Sequence, residues 1–221
     1  MPSVKNMYLV VYNVACAAGW GYVLLACIRH VVAGGKPQEL YDDVEQVLQI
    51  VQTAAFMEVV HALLGVVRSP WLVTLMQVAS RLVLLWGFMW MVPATQGQYG
   101  ALLCITSWAA VEVPRYLFYA FGVMGSSPFT LFYLRYSLFA ILYPTGITGE
   151  VMTMVAGLPD LKASQDTLAL DLGPLHISGY MFAVATLAVY VVGAPSLYLN
   201  MVTNRKVAFR KRNGGAAKKT A

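Results

Sequence analysis

The sequence predicts an all-α integral membrane protein, a bundle of six transmembrane helices, and three observations lead there. Hydrophobic residues make up 59% of the 221 positions and charged residues only 11%, against about 45–50% and 25% in soluble domains; the mean hydropathy is +0.64. Six stretches reach the roughly 20 mostly apolar residues that a hydrocarbon core requires of a helix. The basic residues concentrate in segments that six crossings would place on one side. Disorder, which needs low hydrophobicity and high charge, and a disulfide scaffold, which needs many cysteines, are both excluded.

The first span is expected at about Met7–Ile28. It is too long for a signal-peptide core and charged sequence follows it, so it reads as retained. The second is expected at Val47–Val67, the third at Trp71–Val92 and the fourth at Tyr99–Val123, where Pro114 predicts a kink. The fifth is expected at Phe129–Thr148 and the sixth at Ile177–Val202. Residues 1–204 then form one membrane domain and 205–221 a basic tail. No internal repeat is visible.

Net charge is +5, and seven of the 15 basic residues follow Met201. A basic tail can mark a nucleic-acid surface, but directly after a hydrophobic span it marks the cytosolic side of a membrane, so no nucleic acid is expected. Lys5, Arg68 and the seven tail residues share one side. Lys36 and Lys162 lie on the other, with Glu39, Asp42, Asp43, Glu45, Asp160, Asp166 and Asp171. Both termini are therefore expected in the cytosol. Arg29, at the far end of span one, runs against the rule. Lys218-Lys219-Thr220-Ala221 resembles the dilysine retrieval signal of endoplasmic-reticulum membrane proteins.

Cys16, Cys27 and Cys104 sit in apolar runs without CxxC spacing, and His30, His61 and His176 are scattered. No metal site is written here, and the cysteines read as small buried hydrophobes.

Ionisable groups at bilayer depth cost about 2.5–3.5 kcal/mol each, so each is a functional candidate. Span two carries Gln49, Gln52, Glu58 and His61, and span three Gln77 and Arg81. Span four carries Glu112 and Arg115, span five Arg135. Glu58 with His61, and Glu112 with Arg115, are three apart and share a helix face, so each pair is expected to neutralise itself. Polar clamps between helices are the competing reading.

The segment Tyr143-Pro144-Thr145-Gly146-Ile147-Thr148-Gly149-Glu150 stands apart. Pro144 disfavours helix at Tyr143, and Gly146 and Gly149 permit a turn or a close backbone approach. A phenol and a carboxylate are presented seven residues apart around an expected break, toward the face opposite the termini. On an unbroken helix they also return to nearly one face.

Tyr41-Asp42, Gln52-Thr53-Ala54-Ala55, Glu58 with His61, Leu64-Gly65-Val66-Val67-Arg68-Ser69-Pro70, Gln77 with Ser80-Arg81, Trp86-Gly87, Glu112 with Arg115-Tyr116, and Leu134-Arg135-Tyr136 lead up to that segment. Together they resemble the 3-hydroxyacyl-CoA dehydratases of very-long-chain fatty-acid elongation, also called protein-tyrosine-phosphatase-like proteins. The resemblance covers most of the chain; the Asp160–Asp171 loop has no match. It implies a six-span enzyme of the endoplasmic reticulum that removes water from a (3R)-3-hydroxyacyl-CoA to give the trans-2-enoyl-CoA. It puts the catalytic pair on Tyr143 and Glu150, and it implies association with the elongation condensing enzyme and the two reductases.

Dehydration takes a proton from the carbon next to the thioester and delivers one to a departing hydroxide. Two groups in different protonation states suffice. The preferred reading puts Glu150 at the hydroxyl and Tyr143 at the α-carbon, with the reverse still open. Backbone amides of a Gly146–Gly149 turn are expected near the thioester oxygen. Arg81, Glu112, Arg115 and Arg135 are expected to support the site, the arginines meeting CoA phosphates as the alternative. The reaction is redox-neutral and its proton steps need no metal, so no cofactor is expected. A non-catalytic membrane scaffold is the runner-up and a transporter comes third. Phosphatase chemistry needs a reactive cysteine in a phosphate loop, which none of the three provides.

Overall fold

The computed structural model describes residues 3–164, 167–172 and 175–217. Eight α-helices account for nearly all of them, with one short β-hairpin. Helix α1 runs Val4–Ala33. Ser3 opens it by accepting the Asn6 N–H at 3.2 Å, and Gly34 closes it at φ 67°, the left-handed C-cap that glycine adopts freely. Helix α2 (Pro37–Ala54) begins at once, with Pro37 in its first turn and the Glu39 carboxylate accepting the Lys36 N–H at 3.0 Å.

The second rod thus starts ten residues before the expected Val47, because Glu39, Asp42, Asp43 and Glu45 lie on helix rather than in a loop. It breaks at Ala55 and resumes as α3 (Phe56–Leu63). Tyr12 of α1 donates to the Ala54 carbonyl at 3.0 Å, satisfying a group at the break.

Helix α4 (Trp71–Leu82) continues into a π-helical stretch, Val83–Trp90. The wider turn buries Leu84, Leu85, Phe88 and Met89 together. Helix α5 (Tyr99–Val123) matches its expected bounds and runs unbroken through Pro114. Helix α6 (Phe129–Ser137) leads across Leu138 into α7 (Phe139–Ala163). The fifth rod is therefore 15 residues longer than expected, and no turn interrupts Tyr143–Glu150. Strands β1 (Leu170–Leu172) and β2 (Leu175–Ile177) pair antiparallel. Helix α8 (Gly179–Ala217) carries the sixth span on through Arg205–Arg212. The expected tail is thus helical as far as Ala217, while the dilysine positions lie outside the described residues.

Among the described residues five helices are long and apolar enough to cross a membrane: α1, the α4–π rod, α5, α7 and α8. The α2–α3 rod, with its acidic start, is not among them. This is an all-α membrane protein, with the sixth crossing left to the reading below. Helix α5 is the axis, packing along α1 on one side and α7 on the other, with α2 against α1. Trp20, Leu40, Phe88, Ile105 and Met154 fill the core. Cys16, Cys27 and Cys104 are free and buried, as expected. Helix α8 packs on α7 and α6 and buries least.

Candidate functional site

The α5–α7 crossing places the acidic residue. Gly149 lies so close to α5 that a Cβ there would stand 2.5 Å from the Cys104 backbone N and 2.8 Å from the Gly100 O. Gly100 is equally tight in return, its Cβ 2.8 Å from the Thr153 N. Such contacts are how small residues bring membrane helices together. A Cβ added at Gly146 would stand 3.4 Å from that of Ser107, and Ser107 is hydrogen-bonded to Thr145 at 3.0 Å. Gly146 and Gly149 are helical and serve this approach. The expected turn with free amides is not formed, because packing against α5 uses the glycines instead.

The close approach sets Glu150 against α5, 9% exposed. Its Oε1 accepts the Trp108 indole N–H at 2.9 Å, and its Oε2 accepts the Tyr190 hydroxyl of α8 at 2.6 Å. Three helices converge on one carboxyl group. Tyr143, two turns earlier on α7, is half-buried and also faces α8. Its hydroxyl donates to the Ala194 carbonyl at 3.1 Å, and its ring lies 6.1 Å from that of Tyr198. Continuous helix puts Tyr143 and Glu150 about 10 Å apart along the axis on one side of α7. Both meet α8 at the α7–α8 interface.

A second polar cluster lies further along α5, where Glu112 and Arg115 follow Trp108 on the same stripe of the helix. Arg115 clamps Glu58 with two hydrogen bonds of 2.8 and 2.7 Å and donates its Nε to Glu112. Arg81 donates to the other Glu112 oxygen. Tyr116 completes Glu58 at 2.6 Å, and its ring lies 4.3 Å beneath the Arg115 guanidinium. Two arginines and two glutamates neutralise one another with all four carboxylate oxygens engaged, which burial demands. Glu112 and Arg115 pair as expected. Glu58 and His61 do not: Glu58 turns to Arg115, and His61 takes Tyr8 of α1 at 2.8 Å. Arg135 instead donates to the Tyr119 hydroxyl at 3.1 Å. Arg81 links the two clusters, its guanidinium 5.9 Å from the Trp108 ring that holds Glu150.

Of the expected site residues, the fold brings Tyr143 and Glu150 to one helix interface and Arg81, Glu112 and Arg115 to one network further along α5. Trp108 and Tyr190 carry no signal in the sequence, each being one aromatic residue in an apolar span. Among the described residues no cluster of His, Cys, Asp and Glu could hold a metal ion.

Residues 52–211 match the family described as protein tyrosine phosphatase-like protein, PTPLA. The chain is 39% identical over 212 residues to the very-long-chain (3R)-3-hydroxyacyl-CoA dehydratase PASTICCINO 2A of Oryza sativa subsp. japonica, covering 95% of this chain and 96% of the relative. It is 38% identical over 216 residues to the dehydratase hpo-8 of Caenorhabditis elegans, covering 96% and 97%. To the very-long-chain (3R)-3-hydroxyacyl-CoA dehydratase 1 of Mus musculus it is 35% identical over 201 residues, covering 90% and 72%. No solved structure matches. With most of its length matched, and with relatives similar nearly end to end, the chain belongs to the protein tyrosine phosphatase-like, PTPLA, family.

Proposed function

We propose that this protein is a hydro-lyase that dehydrates long- and very-long-chain (3R)-3-hydroxyacyl-CoA to the trans-2-enoyl-CoA, the dehydration step of fatty-acid elongation. The observation that carries the reading is a carboxyl group and a phenol on one helix face, both bonded to α8, in a chain similar nearly end to end to proteins named as dehydratases.

Glu150 and Tyr143 are the catalytic pair in this reading. Both Glu150 oxygens accept hydrogen bonds, an arrangement that suits a carboxylate. The Tyr143 hydroxyl faces a backbone carbonyl, which accepts and cannot donate, so its proton is in place. That geometry favours the reverse of the assignment preferred from sequence. Glu150 takes the α-carbon proton and the electron pair forms the new double bond. The C3–O bond breaks, and Tyr143 protonates the departing hydroxide to water. Glu150 then gives its proton up to water and Tyr143 takes one from water, which restores both groups. Arg81, Glu112 and Arg115 hold α5 and so Trp108 in place.

The setting follows the same reading: the endoplasmic-reticulum membrane, six crossings including the α2–α3 rod, both termini cytosolic, and the condensing enzyme and two reductases as neighbours. Tyr143 lies 14 residues, about 21 Å of helix, from the start of the fifth rod at Phe129. It is therefore mid-rod, reachable from the cytosolic end, rather than at the far face. The test is a dehydration assay on detergent-purified protein with a long-chain 3-hydroxyacyl-CoA, following enoyl-CoA by mass. Turnover by the wild type and its loss in well-folded Tyr143→Phe and Glu150→Gln is expected. A folded wild type without turnover at several chain lengths would favour a scaffold.

A further inference from the structure

The face of α8 that closes the site continues as a line of side chains to its cationic end. Tyr190, Ala194, Tyr198, Arg205, Phe209 and Arg212 recur at steps of three, four or seven residues, which is one stripe of an α-helix. With 39 residues, α8 is about 58 Å long against a hydrocarbon core of about 30 Å. Its last turns therefore project from the membrane, at the end where α6 begins.

That projection is docked on α6. The Arg205 guanidinium lies 4.7 Å from the Phe209 ring and its Nε donates to Ser137 at 3.3 Å. Arg212 lies 4.6 Å from the Phe132 ring and donates to the Ser127 hydroxyl and carbonyl at 3.2 and 3.1 Å. Phe132 and Phe209 pack at 5.0 Å. Lys206, Arg210 and Lys211 are exposed beside them. Among the described residues none of these five cations is paired with a carboxylate. A solvated tail needs no such docking; it holds Arg205 and Arg212 in place beside exposed cations, and cations without a carboxylate partner suit phosphate.

The spacing fits one ligand. Arg205 lies 11 residues beyond Ala194, about 17 Å along the helix. In an extended phosphopantetheine arm, about 13 covalent bonds separate the thioester sulfur from the nearer phosphorus, or about 15 Å at the rise of an extended chain. A thioester placed beside Tyr143 thus puts the diphosphate level with Arg205 and Lys206. The 3′-phosphate then falls level with Arg210, which is exposed one turn beyond Lys206 on the same side of α8.

We infer that the projecting end of α8 is the docking site for the phosphates of CoA, with Arg205, Lys206 and Arg210 as its cations. This rests on the dehydratase reading for the position of the thioester. Phosphate could also come from an anionic lipid headgroup, and the experiment separates the two. CoA binding is measured by titration calorimetry on the full chain in neutral detergent, with and without added phosphatidylserine. The proteins are the wild type, Arg205→Gln, Arg205→Lys, and Lys206→Gln combined with Arg210→Gln. Turnover is followed in parallel on a 3-hydroxyacyl-CoA and on the pantetheine thioester of the same acyl chain, which lacks the phosphates.

Each charge removal should weaken CoA binding about tenfold, the order of a lost charge-assisted hydrogen bond, with Arg205→Lys retaining more. KM should rise far more for the CoA thioester than for the pantetheine thioester. Wild-type affinity for CoA in the folded variants, an equal rise for both thioesters, or an effect seen only with phosphatidylserine present would overturn the assignment. An inactive wild type that still loses CoA binding on charge removal would refute the dehydratase reading and leave the docking site standing.

Discussion

The Tyr190 hydroxyl of α8 donates to Glu150 of α7 at 2.6 Å, at the helix interface that Tyr143 shares. The bond crosses between two helices, so it fixes both the carboxylate and the distance from α8 to α7. With Trp108 holding the other oxygen from α5, Glu150 has no freedom to rotate away. Tyr190 is a positioning residue in this account. Tyr190→Phe should lower kcat by about 10- to 100-fold, the range expected for one hydrogen bond to a charged group, while KM changes little. Steady-state kinetics on the folded variant decide it; a KM effect without a kcat effect would make Tyr190 a packing residue only.

The Arg115 network should matter for stability before it matters for chemistry. Arg115 is shared by Glu58 and Glu112, so its removal leaves Glu58 with no cation, held by Tyr116 alone, and Glu112 with Arg81 only. Breaking a buried pair by deleting one partner costs about 3–5 kcal/mol. Arg115→Gln should therefore unfold well below the wild-type temperature in a detergent melt. Glu58→Gln, which leaves Arg115 still bound to Glu112, should fall less. Equal midpoints for the three proteins would show that the network contributes nothing to folding.

The α5–α7 crossing makes a sharper prediction, because glycine is needed at one site and not at another on similar helix. At Gly149 an added Cβ meets backbone of α5 at 2.5 and 2.8 Å, so neither side can yield without moving a helix. Overpacking of this kind costs about 1–3 kcal/mol. Gly149→Ala should melt lower and also lose activity, since Glu150 moves with α7. Gly122, also helical, has nothing within 4 Å of its would-be Cβ, and Gly122→Ala should be neutral or gain up to about 1 kcal/mol of helix propensity. A pair of melts compares them directly.

The same glycines show where sequence reasoning reached its limit. Hydropathy placed α5 at Tyr99–Val123 to the residue, because its ends coincide with the ends of an apolar run. It truncated the second and fifth rods, because helices do not stop where the apolar run stops: Glu39, Asp42 and Asp43 continue α2 beyond the apolar run. Around Pro144 the local chemistry of Pro-x-Gly argued for a turn, and the tertiary contact with Cys104 and Gly100 prevailed. Tyr143 and Glu150 were visible as polar groups in the wrong solvent. Trp108 and Tyr190 were not, since an aromatic side chain in an apolar span declares its hydrogen bond only when the partner helix is in place.

The topology can be tested independently of activity, and the cysteines make the experiment clean. Cys16, Cys27 and Cys104 are 5%, 0% and 0% exposed, so a membrane-impermeant maleimide should leave the folded wild type nearly unlabelled. Six crossings put Lys36, between α1 and α2, on the side opposite Ser126, between α5 and α6. In sealed microsomes with the cytosolic face outward, Ser126→Cys should label at once, and Lys36→Cys only after the membrane is permeabilised. The discriminating result concerns the acidic α2–α3 rod: if it did not cross, Lys36 and Leu64 would lie on one side. Leu64→Cys should instead behave like Ser126→Cys. Labelling of Lys36→Cys and Leu64→Cys together in intact vesicles would reduce the count to five and separate the two termini by the membrane.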